Sequence, residues 1–116
     1  MWDSTFTIRA EGPSYAGKIV RSTLGDVNSE AADSAALLTS ELVADVMIDV
    51  GADPQLFIDS REGYIYVEVR ATDSMHRHVE QLRTRQRTSA LLNAVASSWG
   101  VDSCDDGSAV WFALSF

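Results

Sequence analysis

Ala35, Leu38, Leu42 and Val46 recur at intervals of three and four residues, and this spacing limits the fold more than any other feature of the chain. Side chains so placed line one side of an α-helix, and a one-sided apolar stripe has to be covered by a second layer. The spacing predicts a helix from Glu30 to about Val50. Ser29 stands where a capping oxygen is needed, Glu30 and Asp33 suit the positive end, and Gly51 followed by Pro54 ends the element. Along one edge of this helix Glu41, Asp45 and Asp49 lie four residues apart with no basic residue beside them. Like charges at that spacing cost roughly 0.2–0.5 kcal/mol per pair. The row therefore asks for a metal ion, a basic partner or plain solvation.

Other segments follow from the same kind of pattern. Thr5–Ala10 alternates and predicts a strand, with Phe6 and Ile8 on one face. Pro13 suits the first turn of a helix running to about Leu24, with Tyr15, Ile19, Val20 and Leu24 turned inward. Gln55–Ser60 and Tyr64–Val69 form a hairpin around Arg61-Glu62-Gly63. Thr72–Gln86 has no sustained period and is expected to be a loop. Thr88–Ser98 is a helix burying Leu91, Leu92, Ala94 and Val95. Trp99–Ser103 and Ala109–Leu114 form a last hairpin around Asp105-Asp106-Gly107, with Trp99 and Trp111 in the core. The order β-α-α-β-β-α-β-β, with antiparallel hairpins and helices over one face, describes a two-layer α/β sandwich. Its 116 residues are expected to make a single domain.

Composition excludes several functions. A formal charge of −8 opposes general nucleic-acid binding, which needs a basic surface to displace counterions. One cysteine, Cys104, allows no internal disulfide and no cysteine zinc site. His76 and His78 have no Cys and no third His nearby in the sequence. No G-x-S-x-G elbow occurs, and Cys104 sits among Asp102, Asp105 and Asp106, which oppose a thiolate. No apolar run reaches the roughly 20 residues that span a membrane, and MWDSTFTIRAEG lacks the marks of a signal peptide. A soluble, cytoplasmic protein is the expectation.

Four words in order carry a resemblance: ALLTSELVADVM at Ala36–Met47, YIYVEV at Tyr64–Val69, SSWGV at Ser97–Val101 and AVWFAL at Ala109–Leu114. Together they resemble the GHKL superfamily of histidine-kinase-like ATPase domains, and more closely the small anti-sigma-factor serine kinases. The resemblance implies a mixed, mostly antiparallel sheet with helices on one face. It makes Glu41 the general base or water-positioning group and puts Asp45 where the family's magnesium-binding Asn stands. Magnesium takes hard oxygen ligands, and a carboxylate can replace an amide carbonyl. It also implies a protein partner, a sigma factor or an anti-sigma antagonist, and pairing of two copies through the end that holds Trp2 and Phe6.

The rest of the family's ATP site is altered here. The adenine-reading Asp is absent after VEV, and Asp73 stands two residues late as its substitute. Where the family has a G-x-G-L phosphate turn, this chain has Gln86-Arg87-Thr88-Ser89, and no glycine occurs between Gly63 and Gly100. Glycine matters there because a backbone without Cβ allows both the required φ and close approach to phosphate. Arg87, Thr88 and Ser89 are the side chains left to hold a phosphate. Arg77, Arg83 and Arg85 stand in the place of the family's lid, with His76 and His78 beside them. The expectation is a regulatory protein that binds its partner with Mg-ATP binding weak or lost. The alternative is an active Mg-ATP-dependent serine/threonine protein kinase.

Overall fold

Two helices that lie one against the other need small residues where they cross, and Gly17 supplies one here. A Cβ added at Gly17 would stand 2.5 Å from Ser40 Oγ and 3.3 Å from the Ala36 carbonyl oxygen. The Ser40 hydroxyl in turn reaches the carbonyls of Pro13 at 3.1 Å and Ala36 at 3.0 Å. The crossing helices are α1 (Gly12–Leu24) and α2 (Ser29–Val50) in a computed structural model of the chain. The structure describes residues 4–7, 12–24, 28–50, 54–71, 86–104 and 107–116. The remaining elements are β1 (Ser4–Thr7), β2 (Gln55–Arg61), β3 (Tyr64–Ala71), α3 (Gln86–Val95), β4 (Ser98–Cys104) and β5 (Gly107–Ser115). The predicted strand residues Ile8–Ala10, the helix-ending Gly51 and the expected loop from Thr72 to Arg85 lie outside the described residues.

Among the described residues the sheet has five strands, in the order β1-β2-β3-β5-β4. All four pairings are antiparallel, which corrects the mixed sheet expected from the family resemblance. Register puts Leu56, Val69 and Val110 in one row and Ile58, Val67 and Phe112 in the next. These rows are buried, and with Val20, Leu24, Leu38, Leu42, Val46 and Leu92 they make one core between sheet and helices. Period-two alternation in the strands and the three-four stripe of α2 meet there, so one face of each element is dry. The β2–β3 hairpin turns at Glu62-Gly63, and Gly63 has φ 88°, a conformation that L side chains rarely adopt.

Three details of the sequence reading are corrected. The cap of α2 is Asn28, whose Oδ1 accepts the Ala31 N–H at 2.9 Å, so the helix begins at Ser29. Tyr15 is 43% exposed, because the inward face of α1 runs through Ala16, Val20 and Leu24. Helix α3 starts at Gln86 and stops at Val95, and Ala94 is exposed. Its early stop follows from what comes next: Ser97 N–H donates to Ala113 O at 2.8 Å, and the chain has already joined β5.

One polar group in this core stands out. Thr39 is fully buried, and its hydroxyl has no hydrogen-bond partner among the described residues. An unpaired buried hydroxyl costs about 1–3 kcal/mol. Thr39→Val is therefore expected to stabilise the fold by about 1 kcal/mol, read as a raised urea midpoint with unchanged slope; a lowered midpoint would refute it. Gly17→Ala is expected to cost about 1–3 kcal/mol through overpacking. Adding Ser40→Ala, which removes the atom in the way, should recover most of that loss in the same measurement.

Candidate functional site

The acidic edge of α2 brings Glu41 and Asp45 one helical turn apart, and the fold treats them differently. Glu41 is half-buried, whereas Asp45 is 7% exposed. The Thr88 hydroxyl, in the first turn of α3 and 5% exposed, donates to Asp45 Oδ2. Both acids have further interactions within the chain. Helices α2 and α3 are in contact, and of the sequence-predicted site residues it is Asp45 and Thr88 that meet there. Ser89 follows Thr88 in the same turn and is half-buried. The backbone of Arg87 belongs to that turn, but its side chain, like that of Asp49, lies outside the described residues, and so does Asp73. His76, Arg77, His78, Arg83 and Arg85 are outside them too. Among the described residues no group of three or more His, Cys, Asp or Glu is placed to hold a metal.

On the opposite face of the sheet is a cluster the sequence reading overlooked. Tyr66, Glu68 and Arg70 alternate along β3 and so share the face turned away from the helices. Glu68 is 6% exposed; its Oε1 accepts the Tyr66 hydroxyl at 3.1 Å and its Oε2 accepts Arg70 Nε. The Arg70 guanidinium lies 4.2 Å above the centre of the Phe57 ring, on the strand next door. Tyr66 stacks on Trp111, with ring centroids 5.6 Å apart. Trp111 is therefore part of this outer layer, in contrast to the core position expected for it. It covers Gly100, where a Cβ would come within 2.8 Å of the indole. The signal was available: YIYVEVR places a phenol, an acid and a base at every second position.

Burial raises the Tyr66 pKa above the ordinary phenol value, and the adjacent Glu68 carboxylate raises it further. This network holds a proton firmly on Tyr66.

Recesses elsewhere among the described residues include two. One, of about 300 Å³, is bounded by Asn28, Glu30, Ser34, Val95, Leu114 and Phe116, at the start of α2. The other, of about 290 Å³, lies between α1 and α2 and is lined by Ser14, Lys18, Arg21, Leu37 and Ser40. Leu37 beside it is 49% exposed. Arg21 reaches Asp33 at 2.9 Å, an exposed pair of little energetic weight. Comparison with known proteins finds no family model that matches the chain, and no curated protein that matches it. No described helix is long and apolar enough to cross a membrane.

Because the folded pKa of Tyr66 lies above its unfolded value of about 10, the folded state keeps a proton that the unfolded chain loses. The associated stability is complete below pH 10 and declines as pH rises above it. Unfolding midpoints measured between pH 9 and 11 (about one unit either side of the ordinary phenol value) should fall more steeply for wild type than for Tyr66→Phe. Parallel curves would show that Tyr66 is not held in this way.

Proposed function

We propose that this chain is a regulatory protein of the anti-sigma-factor-kinase type that binds a protein partner and has weak or no affinity for Mg-ATP. The observation that carries this reading is the start of α3. Residues Gln86, Arg87, Thr88 and Ser89, standing where a phosphate turn would be, are already its first helical turn and include no glycine. A phosphate cradle there would require a backbone shape that this turn does not have.

The residues present also fit magnesium poorly. The ion keeps several waters and a near-octahedral shell, while Asp45 is buried and already accepts the Thr88 hydroxyl. Among the described residues, no group of three or more His, Cys, Asp or Glu joins Glu41 at this half-buried edge. The order of elements and the one-sided helical layer support the fold that the reading requires. The partner, a sigma factor or an anti-sigma antagonist, is assigned to the α1–α2 recess. There Lys18 gives a cationic lining on a chain of net charge −8, with Arg21 paired to Asp33 at its edge and Leu37 exposed beside it. An acidic segment carrying an apolar side chain suits that surface by charge and by burial.

Calorimetric titration with Mg-ATP and Mg-ADP is expected to give no saturable heat at millimolar nucleotide. Capture with the native chain should recover a sigma factor or its antagonist, and Lys18→Glu combined with Leu37→Ser should lose it. A melting temperature raised by millimolar Mg-ATP, with the rise absent in Glu41→Ala, would overturn the reading in favour of an ATP-dependent serine/threonine kinase.

A further inference from the structure

Asp45 and Thr88 are 43 positions apart in the chain, on different helices, and both are buried. A carboxylate withdrawn from water is tolerated only where donors reach it. Thr88 is one such donor, and its position adds a second effect. It is the third residue of α3, within the turn whose N–H groups have no intrahelical acceptor and where the helix dipole is positive. A negative group brought to that end from another helix is favoured by both.

Helix α3 needs such an anchor. It has ten residues, and helices of that length are marginal by themselves in water. Among its side chains Leu92 enters the core, with Leu91 and Val95 packed against it. Those contacts hold the middle and end of the helix, and Thr88–Asp45 holds its beginning.

We infer that Asp45 is an internal clasp: by accepting the Thr88 hydroxyl at the first turn of α3, its carboxylate locks that helix to α2 through a direct side-chain contact. The inference deepens the reading of a chain that works without nucleotide and rests on it for its functional meaning. The helix that a bound nucleotide would otherwise order is set by a side chain of the protein itself. An anion or cation entering between α2 and α3 would have to displace that contact.

The test is a double-mutant cycle in the full chain with Asp45→Ala and Thr88→Val. Each single change is expected to lower the melting temperature by roughly 4–8 °C, and the double mutant to lose no more than Asp45→Ala alone, because that change already takes the acceptor from the Thr88 hydroxyl. Thr88→Ser, which keeps the hydroxyl, should stay closer to wild type than Thr88→Val. Hydrogen exchange should quicken in the first turns of α3 before it quickens in β2 and β3. Losses that simply add, or exchange that quickens uniformly, would overturn the clasp. If Asp45→Ala does not fold, Asp45→Asn takes its place in the same cycle with the same criteria. Saturable Mg-ATP binding by the wild-type chain would remove the functional reading and leave the clasp standing. Additive losses would do the reverse.

Discussion

The apolar face of α2 is the surface on which the other layers are assembled. That helix meets α1, α3, β3 and β5, so among the described residues it touches both other helices and two central strands of the sheet. Leu38, Leu42, Val43 and Val46 are each nearly or fully buried along it. Truncating a buried leucine of this kind to alanine typically costs about 2–5 kcal/mol, a large part of the stability of a domain this size. The position of α1 depends on α2 through Gly17 and Ser40, and that of α3 depends on it through Leu92 and Thr88.

Placing so many elements on one helix leaves little room for polar groups, and the fold handles its buried ones unevenly. Asp45 receives the Thr88 hydroxyl, and Glu68 receives both a phenol and a guanidinium. Thr39, in the middle of the same α2 face, has no hydrogen-bond partner among the described residues. Buried ionised groups contribute little net stability even when well paired, but they become costly as soon as one partner is removed. The two carboxylates therefore act as constraints on geometry more than as sources of stability. One fixes where α3 begins against α2; the other fixes a phenol, a guanidinium and two further rings on the outer face of the sheet.

Much of this was legible in the chain. The stripe from Ala35 to Val46 is a local pattern, as is the alternation through Gln55–Val69, and both elements stand within a residue or two of where the pattern puts them. Tyr15 was misplaced because Ala16 and Gly17 take the inward face of α1, and a period built on large residues passes over small ones. Trp111 was assigned to the core because bulk suggests burial, whereas its parity along β5 puts it opposite Glu68, away from Phe112 and Val110. The Asp45–Thr88 contact had no local signal at all. It depends on how two helices cross, and neither residue announces a partner 43 positions away. Glu41 and Asp45 could be recognised as a pair; that only one of them would be withdrawn from solvent depends on the same crossing.

The strand order has a consequence for how the chain is made. β5 follows β4 in sequence but lies between β3 and β4 in the sheet, and its final residues extend the pairing to Tyr64 beside the first hairpin. Phe116 N–H then donates to Gly63 O at 2.9 Å. During synthesis the ribosome releases β1, β2 and β3 with one side of β3 bare, and β4 with no neighbour in the sheet. α2 can cover only part of such a surface. Until β5 emerges and is inserted, the nascent chain presents an unpaired central strand, so the interval between the release of β3 and the insertion of β5 is its period of greatest exposure to aggregation.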